Sequence, residues 1–136
     1  MREEETAIAV VGCGKAKLGH AAPARELYVG SYFRACARAA ETIAPGRWFI
    51  LSAQYGLLTP ADWIEPYDLT LGAPGSVAAP LVWLQAASRD ITDEPVTALC
   101  GSRYAHLAGQ VWAEIDTPLA GMGIGRQLQV LARIAR

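Results

Sequence analysis

Three short stretches of this chain are almost unbroken runs of apolar residues: positions 6–12 (TAIAVVG), 47–53 (RWFILSA) and 96–101 (VTALCG). A continuous run of that length, closed by a glycine or a small polar residue, is what a strand covered on both faces requires. Between them the pattern changes to a helical period. Over residues 24–43, Tyr28, Tyr32, Ala35, Ala39 and Ile43 fall on one stripe, whereas Arg25, Arg34, Arg38 and Glu41 fall off it. With Pro23 in front and Pro45-Gly46 behind, the spacing predicts one amphipathic helix over 24–43. Residues 54–56 follow the second strand as its turn.

The next thirty or so residues are broken up by Pro60, Pro66, Gly72, Pro74 and Gly75 and read as loop. From Val77 the positions Val77, Leu81, Leu84 and Ala87 predict a helix with Ser76 as its cap and Pro80 in its first turns. Ser102 is the expected cap of another helix running to about Ile115. A C-terminal helix over 123–135 places Ile124, Leu128, Leu131 and Ile134 on one side. Strands alternating with helices predict a three-layer α/β fold, a small, mostly parallel sheet flanked by helices, with residues 1–136 as one domain.

Composition narrows the function classes. The chain has 136 residues, is 52% hydrophobic and has a formal charge of −1, the acidic opening at residues 2–5 being offset by Arg133 and Arg136. No domain-wide basic field exists to hold duplex nucleic acid without sequence preference, which leaves a small ligand or a locally basic groove. Neither a secretory signal nor an apolar stretch of membrane-spanning length is apparent. Three cysteines without paired spacing suit a reducing compartment. The expected location is the cytoplasm, with no membrane partner.

In an open parallel sheet, ligands bind beyond the carboxyl ends of the strands. All three predicted strands end there in polar, glycine-containing turns: residues 12–17 (GCGKAK), 52–56 (SAQYG) and 101–104 (GSRY). In the first, Gly12 and Gly14 let backbone approach a ligand, and Lys15 and Lys17 are placed to meet an anion. The glycine spacing is neither a dinucleotide fingerprint nor a Walker loop. Cys13 is either a nucleophile or a small residue buried at a strand end.

The second turn leads through Asp62, Trp63 and Glu65 to Tyr67 and Asp68. Tyr55, Tyr67 and Trp63 offer flat faces for a nucleobase, or else Trp63 and Ile64 plug the loop onto the core. Asp68, Asp62 and Glu65 are the candidate carboxylates. The third turn adds Gly101 and Tyr104. Ser52 lacks the flanking glycines of a nucleophile elbow. A zinc site from His20, His106, Cys13 and Cys100 would need four distant loops to converge, so neither metal nor cofactor is expected. The run 121–125 (GMGIG) either presents amides to an anion or lets the last helix pack closely.

At these residues the chain resembles small bacterial and phage proteins of a domain-of-unknown-function family related to the YaaA peroxide-stress proteins. The matching pieces are residues 11–17, 23–28 with Tyr32-Phe33, 50–58, 64–71 and 118–125. The Cys-x-Lys turn with the Tyr67-Asp68 pair is also similar to a domain of archaeosine synthase, which acts on a modified base in RNA. These resemblances imply nucleobase or nucleotide chemistry at Cys13, Lys15, Lys17, Ser52, Tyr55, Gly56, Tyr67 and Asp68. The expected activity is hydrolysis of an N-glycosidic bond. In it Tyr55 and Tyr67 hold the base, Lys15 and Lys17 hold phosphate, and Asp68 stabilises an oxocarbenium-like transition state. The alternative is a protein that binds DNA or a nucleotide without turnover, through Arg25, Arg34, Arg38, Lys15 and Lys17.

Overall fold

The computed structural model describes residues 7–136. Thr6, expected to open the first strand, and residues 2–5 of the acidic opening lie outside the described residues. Strand β1 (Ile8–Gly12) forms the middle of a five-stranded sheet of order β4-β3-β1-β6-β7. β3 (Trp48–Ser52) and β6 (Val96–Leu99) flank it in parallel, with Val10 opposite Phe49 on one side and Ala98 on the other. Ile8, Ala9, Val10 and Val11 are all buried, as a strand covered on both faces should be.

On one face lie α2 (Ser31–Ile43) and α5 (Ile124–Ile134). α2 buries Phe33, Cys36, Ala39 and Ala40 against Val11, Ile50 and Leu99, its small residues allowing close approach to the sheet. The opposite face carries α3 (Ala79–Ser88) and α4 (Ser102–Val111), packed over Val10, Leu51 and Ala98. Trp112 is fully enclosed there and its indole N–H donates to the Ile91 carbonyl at 3.0 Å. The architecture is thus the expected mixed α/β sandwich of three layers.

Four details depart from the sequence pattern. The stretch 24–43 is not one helix: α1 (Ala24–Leu27) stops at Tyr28, whose backbone is extended, and α2 starts after Gly30. The break exists because the main chain pairs elsewhere, with Lys17 bridging Tyr28 and the amides of Leu18 and Val29 donating to Leu27 and Ala16.

The turn expected over 54–56 and the start of the loop expected after it contain a strand. β4 (Gly56–Leu58) runs antiparallel to β3 at the sheet edge. Gln85 of α3 closes that edge: its side-chain oxygen accepts from the Leu57 amide at 2.7 Å and its amide donates to the Tyr55 carbonyl at 2.9 Å. An edge strand so covered is no template for further pairing. Gly56 makes the approach possible, since its φ of 80° suits glycine and a Cβ there would strike the Gln85 amide.

The remaining two concern helix ends. α3 begins at Ala79 without a side-chain cap, while the Ser76 hydroxyl accepts from the Gly72 amide instead. α4 is preceded by Gly101 and ends at Val111. Burial of Trp112 turns the chain into β7 (Ile115–Asp116), parallel to β6. In the loop after β4, β5 (Trp63–Ile64) pairs with β2 (Ala22–Pro23) as a two-stranded ribbon.

Candidate functional site

Because β1, β3 and β6 are parallel, their carboxyl ends share one rim. There the chain leaves each strand close to its neighbours, the Cys13 amide still donating to Leu51 at 2.9 Å. Cys13 lies half-buried, its sulfur 3.0 Å from the hydroxyl of Tyr104 on α4. Gly12 makes that pairing possible, because a Cβ there would sit 2.7 Å from the Tyr104 ring. The bare backbone of Gly12 therefore receives a phenol of the protein, where the sequence suggested an approaching ligand.

The second part of the cluster is a chain of hydroxyls. Ser52 is wholly buried, and its oxygen accepts from the amides of Gln54 at 3.1 Å and Tyr55 at 3.0 Å. With both acceptor positions filled, its single proton goes to the Tyr67 oxygen at 2.8 Å. Tyr67 lies 2.7 Å from the hydroxyl of Tyr28 and close enough to Cys13 to feel its charge. Ser52 thus acts on the rim through Tyr67, which it holds in place.

Burial sets the protonation of these groups. It pushes the Tyr28 phenol up to about 12, against the lowering effect of the Tyr67 hydrogen bond. Tyr67 and Tyr104 are raised further, first by burial and then by any charge on Cys13. The rim therefore presents neutral phenols throughout the neutral range. Cys36 and Cys100, buried on either side of the sheet, are each pushed up to about 12 by burial. They belong to the core, not to the rim's chemistry.

Lys17 supplies the positive charge. Its ammonium lies 4.4 Å from the Tyr67 ring centroid and 5.9 Å from that of Tyr28, and donates to the Lys15 carbonyl at 3.2 Å. The ring faces hold the cation electrostatically while leaving part of its hydrogen-bonding capacity unused. Tyr55 is half-buried and meets Tyr67 edge to face, with centroids 5.7 Å apart.

Of the residues singled out in the sequence, Cys13, Lys17, Ser52, Tyr55, Tyr67 and Tyr104 are joined by these contacts. Lys15 is exposed and contributes only its backbone to them. Asp68 directly follows Tyr67, but its carboxylate is exposed and has no hydrogen bond or ion pair among the described residues. Gly56 is tied to Gln85, and Gly101 precedes the first turn of α4. Asp62 is engaged structurally, accepting from the Thr59 amide at 2.9 Å, and Trp63 is 72% exposed while its neighbour Ile64 is buried. Of the two, it is Ile64 that plugs the loop onto the core.

Tyr28 falls on a helical stripe in the sequence, yet its hydroxyl belongs to the cluster. The available signal was Gly30-Ser31, a pair suited to a helix start, which would have freed Tyr28 from the helix. Among the described residues no group of three or more His, Cys, Asp or Glu is gathered closely enough to hold a metal ion. None of the helices among them is long and apolar enough to cross a membrane.

Two concavities adjoin the rim. One, of about 850 Å³, lies between α4 and residues 71–79. The other, of about 570 Å³, lies between the first turns of α4 and α5, against Cys100 and Thr117. Ser102 and His106 line both. No curated protein matches the sequence. Residues 8–133, nearly the entire chain and every rim residue named above, match the profile of DUF6884, a family of unknown function, and the chain belongs to that family.

Proposed function

We propose that the rim binds a nucleoside, nucleotide or nucleobase and that the protein hydrolyses its N-glycosidic bond. The observation that carries this reading is Lys17, held over the face of Tyr67 beside the Tyr55 ring at the carboxyl ends of three parallel strands. A fixed cation suits phosphate, and adjacent phenol rings suit a flat base. The resemblance of the same turns to YaaA proteins and to an archaeosine synthase domain supports the same ligand class. Asp68, next to Tyr67 and exposed, is the carboxylate available to stabilise developing positive charge on the sugar. The three cysteines are free, in keeping with a cytoplasmic location.

One observation favours the second reading, binding without turnover. Nothing among the described residues orients the Asp68 carboxylate, whereas catalysis gains most from fixed groups. Incubating the full chain with a panel of nucleosides and nucleotides and assaying free base separates the two. Release of base that Asp68→Asn abolishes supports the hydrolase. Saturable binding without release supports the binding protein. Absence of both binding and release would overturn the nucleotide reading altogether.

A further inference from the structure

The larger concavity and the rim are built in part from the same two backbone segments. Residues 101–104 carry Tyr104 into the cluster and Ser102 and Arg103 into the groove. Residues 67–71 carry Tyr67 into the cluster and Leu71 into the groove. The Arg103 guanidinium ties the two segments together by donating to the Leu71 carbonyl at 3.3 Å. The two segments lead from the rim to this groove.

The groove's lining has a definite chemistry. Leu71, Val77 and Leu107 give it an apolar floor, and Arg103, His106 and Gln110 give it a polar side. Positions 103, 107 and 110 recur at helical spacing, which puts them on one face of α4. No Asp or Glu lines it among the described residues, although the chain has 13 acidic residues, and residues 69–88 contain no charged side chain at all. Its one permanent charge is the Arg103 guanidinium, which keeps donors beyond those spent on Leu71. A volume of about 850 Å³ exceeds what a single small group fills. An apolar floor beside an arginine and an imidazole, without opposing carboxylates, suits a ring with a phosphodiester attached.

We infer that the ligand is a single-stranded polynucleotide, and that this groove seats the nucleotide next to the one held at the rim. The inference rests on the nucleotide reading of the rim. It goes beyond that reading by assigning Arg103, His106 and Gln110 to a flanking phosphate and the leucine and valine floor to the flanking base or sugar. Backbone contacts by a few cations, with flat stacking in place of base-edge readout, give affinity without strong sequence preference.

The test compares binding of a nucleoside monophosphate and of a fluorescein-labelled single-stranded DNA hexanucleotide to the full chain, at several salt concentrations. The hexanucleotide is expected to bind at least about tenfold tighter, through the added phosphate contact at Arg103 and burial of the flanking base or sugar on the apolar floor. Arg103→Gln is expected to lower hexanucleotide affinity and reduce its salt slope by about one, the signature of one lost phosphate contact, with monophosphate affinity unchanged. Because Arg103→Gln also removes the bond to Leu71, Gln110→Lys serves as the second variant. It adds a cation on an exposed helix face and is expected to raise hexanucleotide affinity and its salt slope by about one. Monophosphate binding with no gain for the hexanucleotide, or variants that change both ligands equally, would overturn the groove assignment alone. Failure of either ligand to bind would overturn it together with the nucleotide reading of the rim.

Discussion

The two ends of the parallel sheet treat polar groups in opposite ways. At the amino end, Arg47 ahead of β3 pairs with Glu94 ahead of β6 at 3.1 Å, with side chains 43% and 29% exposed. Nearby, the Trp48 indole donates to Glu41 at 2.7 Å. The Arg47–Glu94 pair consists of full charges kept in contact with water and is worth little by itself, and the buried Trp48 ring reaches its partner on an exposed Glu41. At the carboxyl end, Ser52, Tyr28, Tyr67, Tyr104 and Cys13 are drawn inward and bonded to one another, while their phenols are pushed above their ordinary range. Burying so many hydroxyls costs desolvation that an apolar core would avoid. The sheet bears this cost at one end only, and perturbed titrating groups gathered on a rim are a mark of a site.

That contrast can be attacked by mutation. Tyr28→Ala should have the largest effect, since it empties a buried aromatic position packed on Phe33 and Tyr67 and breaks the hydroxyl chain. A loss of about 3–5 kcal/mol in urea unfolding is expected, the usual cost of removing a buried ring. A loss below about 1 kcal/mol would mean that the hydroxyl cluster is loosely held.

High pH gives the next effect. Tyr28 keeps its proton to about pH 12 when folded but releases it near 10 when unfolded. Below pH 10 both states hold the proton and stability is unaffected. Between 10 and 12 the unfolded state binds fewer protons, so stability falls with rising pH. The shift corresponds to about 2–3 kcal/mol for this group. Cys36 and Cys100 add a fall that starts near their ordinary value of 9. Unfolding across this range, compared with Tyr28→Phe, should show a shallower decline in the variant.

Tyr67→Phe is expected to cost about 1–3 kcal/mol, because it leaves the enclosed Ser52 proton without an acceptor. The amino end supplies the control. Arg47→Gln should cost no more than about 1 kcal/mol, as for other exposed ion pairs. If Arg47→Gln proves as damaging as Tyr67→Phe, the asymmetry between the two ends disappears.

The sheet was largely legible because β1, β3 and β6 are buried on both faces, and burial leaves a continuous apolar signature in sequence. Their parallel direction followed from the intervening helices, which also put Cys13, Tyr55 and Tyr104 at the same end. The elements that were not legible are those fixed by distant partners. β4 depends on Gln85, thirty residues further on than the Tyr55 carbonyl it bonds. The break before α2 depends on backbone pairing of residues 16–18 with 27–29. The C-terminal stripe does form a helix, yet Leu131 is enclosed whereas Ile124 is 58% exposed, since periodicity marks a face without saying how far it is covered.

For the candidate site, the turns meet at one rim as their order along the sheet implies, but the contacts among them do not follow from the sequence. Gly12 looked like room for a ligand and is room for Tyr104. Ser52 looked like a ligand contact and is the holder of Tyr67. Which phenol meets which hydroxyl is decided by tertiary packing, and no local pattern encodes it.

The most direct test of the account is a backbone NMR titration of the full chain with a nucleoside monophosphate. Shifts concentrated at Cys13, Lys17, Tyr55, Tyr67 and Asp68, with Arg47 and Glu94 unmoved, are the predicted result. Shifts centred on Arg47 and Glu94, or none anywhere at millimolar ligand, would contradict it.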